Sequence, residues 1–147
     1  MIAANDAIAI LIEQVSPALL APPANVLRIA LHPEGLAPQI VNYGMWRAHI
    51  LHRLDLQIEA SADPQLAALR EEIAGYAVQA NDNDVGAVSS IAVPLVLDTV
   101  AGRFSFVSTV TIFGTPVDIT LSELAIEAFF PADAESAALL ANLAVRQ

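Results

Sequence analysis

The chain has 147 residues, enough to bury a substantial core, and its composition of 56% hydrophobic and 15% charged residues excludes intrinsic disorder. Sixteen acidic against six basic residues give a net charge of −10 with no basic cluster, so nucleic acid and anionic membranes are repelled and this chain alone is expected to bind neither. Cysteine is absent, which removes disulfides and thiolate metal sites.

Mean hydropathy is high at +0.58, yet no apolar run approaches the roughly 18 residues of a spanning helix. The run Ala7–Ile12 is too short for the apolar region of a signal peptide and no basic residue precedes it, so cytoplasmic residence is the expectation. Asp6 can cap a short helix over Ala7–Val15, before the breakers Ser16-Pro17 and Pro22-Pro23. Asn25 can cap a helix over Val26–Leu31 that stops at His32-Pro33-Glu34-Gly35. The longest helix is predicted from about Pro38 to Ala60. Its apolar stripe is Tyr43, Trp46, Ile50, Leu54 and Ile58, with Leu51 alongside. Asp63 followed by Pro64 signals another helix, through about Ala77, and "QANDNDVGAVSS" (79–90) reads as a loop.

Near residue 90 the apolar period changes from 3.6 to 2. Strands are predicted over Ala92–Val100 and Arg103–Phe113, joined by a turn at Ala101-Gly102, with Phe104, Phe106, Ser108, Val110 and Ile112 on one face. "ELAIEAFFP" (123–131) also alternates: Leu124, Ile126, Ala128 and Phe130 point one way, and Glu123, Ala125, Glu127 and Phe129 the other. Helix propensity competes through 121–128, but the aromatic end and Pro131 favour a strand. Asp133 can cap a terminal helix over Ala134–Val145. The order describes a single α+β domain over residues 1–147, an antiparallel sheet of three or slightly more strands with helices mainly on one face.

Two long segments, "NVLRIALHPEGLAPQIVNYGMWRAHILHRL" (25–54) and "FGTPVDITLSELAIEAFFPADAESAALL" (113–140), closely resemble the MmyB-like ligand-binding domain. That domain is the PAS-like C-terminal part of many bacterial Xre-type helix-turn-helix transcription regulators, and the resemblance covers about residues 2–145. It implies a small-molecule sensor with an apolar pocket suited to a fatty-acid-like compound. The preceding helix-turn-helix and most of the opening hairpin of the family are not in this sequence. "MIAANDA" looks like the end of the hairpin's second strand, so the chain is expected to be a fragment or a stand-alone product.

The polar residues give catalysis little support. His49 and His52 have a spacing that some metal ligands use, but no third ligand is placed nearby and Arg47 and Arg53 flank them with positive charge, so surface or satisfied histidines are expected. Glu71 and Glu72 point apart on a helix, and Glu123 and Glu127 are expected on the solvent face of the third strand. Ser89, Ser90, Ser105, Ser108 and Ser122 lack a nucleophile elbow, and Gly86 and Gly114 are isolated rather than part of a phosphate loop. In "FGTPVDITLSEL" (113–124), Gly114 permits a positive φ and Pro116 fixes a turn position. Asp118 or Thr120 can bond nearby amides there, so the motif is expected to be a strand connection with Asp118 as its stabiliser.

No enzyme activity, cofactor or metal is therefore expected. Function is expected in the apolar interior, where a pocket would be bordered by some of Tyr43, Trp46, Ile50, Leu54, Phe104, Phe106 and Phe113, with Arg47 as the cation for an acidic head group. The competing reading is that these residues fill a core and the chain is a ligand-free dimerisation module. A third strand over 119–130 would leave an open apolar edge, which favours a homodimer over cover by residues 1–5.

Overall fold

A computed structural model describes residues 6–77, 93–113 and 124–145. Four helices come first: α1 (Asp6–Leu11), α2 (Pro17–Leu20), α3 (Val26–Leu31) and, after a 3-10 turn at Ala37–Gln39, the long α4 (Tyr43–Ser61). They are followed by α5 (Pro64–Ala74), strands β1 (Leu95–Thr99), β2 (Gly102–Phe113) and β3 (Leu124–Pro131), and finally α6 (Ala134–Val145). The class is α+β, with the described strands in one antiparallel sheet ordered β1-β2-β3, an arrangement compatible with a PAS-like fold.

Caps start three helices where the sequence places them, whereas Asp6, expected as a cap, is itself the first residue of α1. The Asn25 side chain accepts from Leu27 N and Arg28 N at 2.9 and 3.2 Å, and Asp63 accepts from Gln65 N at 2.8 Å with Pro64 in the first turn. Asp133 Oδ1 accepts from Ser136 N at 2.7 Å and opens α6. Each such cap contributes about 1 kcal/mol. Gly35 makes the sharp exit from α3: Leu36 N donates to Ile29 O at 2.8 Å, and a Cβ at Gly35 would lie 2.1 Å from that same oxygen.

Several boundaries differ from expectation. α1 ends at Leu11 rather than Val15, and Pro17 opens the short α2 instead of only breaking the chain, because proline fits a first helical turn. α5 stops at Ala74, where the Gly75 N–H closes on Glu71 O at 3.1 Å. The predicted helix over 38–60 divides, because Ile40 leaves helical geometry to bridge Leu97 and Val41 N donates to Val96 O at 2.8 Å. Asn42 fixes this break. Its amide donates to Pro94 O at 2.7 Å and its carbonyl accepts from Val96 N at 3.1 Å, while Trp46 N bonds back to Asn42 O at 2.9 Å.

The hairpin turn sits one residue earlier than predicted, at Val100-Ala101, with Thr99 paired to Gly102. Thr99 Oγ1 holds it, donating to Gly102 O at 2.9 Å and accepting from Ala101 N at 3.1 Å. Gly102 has φ +128, the conformation that favours glycine, and a Cβ there would also press on Leu139 Cδ1 at 3.1 Å. β1 pairs with residues 102–106 of β2 and β3 with residues 106–113, so the two neighbours overlap only at Phe106. Beyond the end of β3 the edge of β2 is taken by the entry to α6: Ala132 N donates to Ser105 O and Ser105 N donates to Ser136 Oγ, both at 2.8 Å.

The main core lies between α4, α5 and one face of the sheet. Phe104 and Phe106 are buried there with their rings stacked at 5.6 Å, against Trp46, Ile50 and Leu54 of α4 and Ile73 of α5. Each such side chain contributes about 1.5–3 kcal/mol by burial. Arg28 of α3 clamps Glu72 of α5 through contacts of 2.8 and 2.7 Å, and the Tyr76 hydroxyl donates to the same carboxylate. The Arg28 hydrogen bond, then that of Tyr76, hold Glu72 down at about 2, while burial and the Glu72 hydrogen bond push Tyr76 up to about 12. The loop predicted over 79–90 and the Asp118 connection lie outside the described residues, as does the 119–123 part of the expected third strand.

Two measurements check this account. Asn42→Ala removes both ties to β1 and leaves buried backbone groups unpaired, so urea unfolding should show a loss of about 2–3 kcal/mol. Glu72→Gln removes a pair whose side chains are 41% and 38% exposed, so it should cost only about 0.5–1 kcal/mol at pH 7. Because the folded carboxyl titrates below its ordinary 4.5, that difference should be full above pH 4.5 and should vanish as pH falls toward about 2.

Candidate functional site

The sequence-selected residues are largely brought together. Tyr43, Trp46, Ile50 and Leu54 project from α4 into the same buried cluster as Phe104 and Phe106 of β2. Phe113 is the last residue of β2 and pairs with Leu124; its side chain is outside the described residues. Arg47 is turned toward α5, where Nη2 donates to Ala74 O at 2.6 Å and Nε is buried with no hydrogen-bond partner among the described residues. Tyr43 donates its hydroxyl to Leu31 O at 3.1 Å, and burial raises its pKa against the lowering field of Arg47.

One expectation is overturned. Glu127 does not face solvent. Residues opposed across an antiparallel pair share a face. Phe106 opposes Pro131, Ser108 opposes Phe129 and Val110 opposes Glu127, so Glu127 lies on the face that carries the buried phenylalanines. Phe129 meets Phe106 edge to face at 6.3 Å, while Ile126 and Phe130, 52% and 56% exposed, take the outer face. The alternation along β3 is as read; the buried row of β2 decides which half of it turns inward.

The far part of this inner face is polar. Glu127 is half-buried, and burial raises its pKa against the positive charge of Arg53 and a hydrogen bond from Ser108. On α4, Arg53 is near enough for its charge to act on Glu127, and both Arg53 and His49 are half-buried. Burial lowers the His49 pKa first, and the charges of Arg53 and His52 lower it further, which favours neutral imidazole. The Trp46 ring lies 5.8 Å from His49, and its indole Nε1 is buried with no hydrogen-bond partner among the described residues. His49 and His52 do not converge on a metal site: among the described residues no group of three His, Cys, Asp or Glu could hold one. Glu71 and Glu72 do diverge, Glu71 lying out beside Arg70 at 3.5 Å.

Sequence reasoning did not single out Glu127, Ser108, Arg53 or the half-buried His49 as neighbours of the apolar interior. A signal existed. His49 and Arg53 follow Trp46 at the helical spacings that place them beside the apolar stripe, and Ser108 falls in the row of Phe104 and Phe106. The cluster offers hydrogen-bond donors on the helix side and an acceptor on the sheet side, beside a wall of aromatic rings. It can grip and orient a small molecule; a nucleophile, a base and a group to orient them do not converge among the described residues.

A half-buried carboxylate with a raised pKa opposes folding most at high pH, where it is charged. Glu127→Gln should therefore be more stable than the natural protein at pH 7.5, and the advantage should close as pH falls through the raised pKa of Glu127. Urea unfolding at pH 7.5 and pH 4.5 would show it.

No helix among the described residues is long and apolar enough to cross a membrane. No curated protein and no solved structure matches the chain. The family model for the MmyB-like transcription regulator ligand binding domain, in contrast, matches residues 1–143. With nearly the whole sequence matched, and with an apolar interior that ends in a cluster of polar groups, the chain belongs to the MmyB-like transcription regulator ligand binding domains.

Proposed function

We propose that this chain is the small-molecule-sensing domain of a bacterial transcription regulator, one domain over its 147 residues, working in the cytoplasm. Its ligand is apolar or fatty-acid-like and binds between α4 and the inner face of the sheet. Tyr43, Trp46, Ile50, Leu54, Phe104, Phe106 and Phe113 are the apolar border, with Arg47 nearby on the same helix. Family membership carries the reading, and the buried indole N–H of Trp46, without a hydrogen-bond partner among the described residues, supports it as a donor open to an acceptor.

The mechanism is a shift between two packings. Trp46 and Phe104 are 3% and 0% exposed, so a ligand that enters between the layers must move α4 relative to the sheet. α4 is held to β1 at its start by Asn42 and to α5 further along by the Arg70–Asp55 pair, so α4 and α5 would move together. A ligand that binds the opened packing more tightly draws the population toward it by its difference in affinity. With a net charge of −10, this chain binds no nucleic acid by itself, and the signal passes to a reader domain or chain. Nothing in this cycle needs catalysis, a metal or a cofactor.

A second reading, a ligand-free dimerisation module with a filled core, is favoured by Ile126 and Phe130. Both are exposed on the outer face of β3, whose outer edge has no strand partner among the described residues. The readings agree on a homodimer and differ on the ligand.

Native mass spectrometry of freshly purified protein separates them. The sensor reading expects a dimer carrying extra mass that denaturation releases as a small molecule; the filled-core reading expects a bare dimer. A strictly monomeric species at high concentration in sedimentation would refute the dimer in both.

A further inference from the structure

β3 pairs with β2 along one edge and has no strand along the other among the described residues. The backbone decides what that open edge presents. Along an antiparallel strand the N–H and C=O groups of successive residues point to alternate sides. Ala132 N donates to Ser105 O at 2.8 Å, so the even-numbered residues of this segment turn their backbone groups toward β2. Ala125, Glu127 and Phe129 therefore turn theirs outward. Pro131, which has no N–H to offer a neighbour, falls in the same outward row. The even residues Ile126, Ala128 and Phe130 carry the side chains of the outer face, where Ile126 and Phe130 are 52% and 56% exposed.

This outer row is complementary to itself. In an antiparallel pair of two copies centred on Ala128, Ile126 stands opposite Phe130 of the partner subunit, and Phe130 opposite the partner's Ile126. The small Ala128 side chains meet between them. All of these are non-hydrogen-bonded positions, where opposed side chains come closest. At the alternate positions Glu127 exchanges both backbone bonds with the partner's Phe129. A centre at Glu127 would instead set two half-buried carboxylates face to face. A centre at Phe129 would oppose Glu127 to the partner's Pro131, which cannot return the bond, and a centre at Ile126 would leave Phe130 beyond the paired residues.

Charge selects a second copy as the occupant. The exposed acids Glu13, Glu34, Glu59, Glu71 and Glu135 lie on the helices and their turns. Among the described residues, the outer face of the sheet carries charge only in Asp98 and Arg103, which neutralise each other at 2.6 Å. Two chains of −10 each can therefore approach along β3 without bringing exposed acids together, whereas a basic partner would be drawn to the helical side.

We infer that two copies of this chain join edge to edge through β3, antiparallel and centred on Ala128. Their sheets then run on as one, and Ile126 of each subunit packs on Phe130 of the partner subunit. This rests on the homodimer of the readings above and names its interface. The same strand turns Phe129 inward onto Phe106 at 6.3 Å, so the strand that joins the copies is also a wall of each interior.

The chain has no cysteine, so a single introduced thiol can bridge only to its own copy. In this register the Cα atoms of the two Ala128 residues are about 4.5 Å apart, within reach of a disulfide. Thr109, opposite Ala128 on β2, is separated from its copy by three strand spacings, roughly 14 Å, which a disulfide cannot span. Mild oxidation of the full chain should convert Ala128→Cys to a disulfide-linked dimer on a non-reducing gel and leave Thr109→Cys unlinked. Phe130→Asp sets a charge against Ile126 twice per dimer and should weaken association at least about tenfold in sedimentation. Its circular dichroism should be unchanged, because the replaced side chain is exposed. Thr109→Cys bridging as readily as Ala128→Cys would mean face-to-face stacking and overturn the edge pairing. Glu127→Cys bridging faster than Ala128→Cys would overturn the register. A natural dimer in which Ala128→Cys fails to bridge and Phe130→Asp leaves association unchanged would overturn the interface and leave the homodimer standing. A strictly monomeric natural protein would overturn both.

Discussion

The arrangement of this domain depends on the side-chain amide of Asn42. It is 9% exposed and uses both ends, donating to Pro94 O and accepting from Val96 N, so the start of α4 is tied to β1 by two bonds in a fixed orientation. A carboxylate could not donate the first and a hydroxyl is too short to span both. The tie also sets the rotation of α4. Starting the helix one residue earlier would turn every side chain by about 100° and carry Trp46 and Ile50 off the phenylalanines. The neighbouring bridge of Ile40 to Leu97 covers the outer edge of β1, so the same three residues close one side of the sheet and aim the helix across it.

β2 is the spine on which the two ends of the sheet differ. Its first part, paired to β1, carries Phe104 and Phe106 under the beginning of α4 and is dry. Its later part, paired to β3, carries Ser108 and Val110 opposite Phe129 and Glu127, and Val110 is 39% exposed. α4 has the matching gradient, with Tyr43 and Trp46 over the dry end and Arg53 toward Glu127. Apolar packing alone would have produced a uniform inner face, so the change in character halfway along two separate elements is a feature of the fold.

Local signals in the sequence were legible to the residue. Asn25, Asp63 and Asp133 each cap the helix assigned to them, because a cap is decided by a side chain and the amides two or three positions on. The stripe on α4 and the Phe104/Phe106 row were legible for a similar reason: period alone gives a face. What failed depends on distant partners. The break at Ile40–Asn42 follows from pairing with β1, more than fifty residues away along the chain, and nothing local forbids helix there. The inward row of β3 was misread because both rows end in a phenylalanine, and only the register with β2 decides between Phe129 and Phe130. Arg47 and Arg53 are equivalent by composition; the end of α5 claims the first and leaves the second facing the sheet.

Scarcity makes the cations informative. With sixteen acids and six arginines, pairing is limited by the positive partner, and any arginine within reach of a carboxylate has a choice of several. Arg28 and Arg103 use the planar fork in two-point contacts, and Arg70 reaches Asp55 from the next helix. These exposed pairs contribute little each, and their main effect is to fix the spacing of elements. Arg47 does a different job, placing positive charge on the last carbonyls of α5, where the helix dipole is negative. Arg53 alone among the described arginines is spent on neither task, and it stands half-buried at the polar end of an otherwise apolar interface. Desolvating a guanidinium without a partner is costly, and a packed core would eliminate it or pair it. Its charge acts on Glu127 across the interface and offsets part of the burial that raises that carboxyl's pKa.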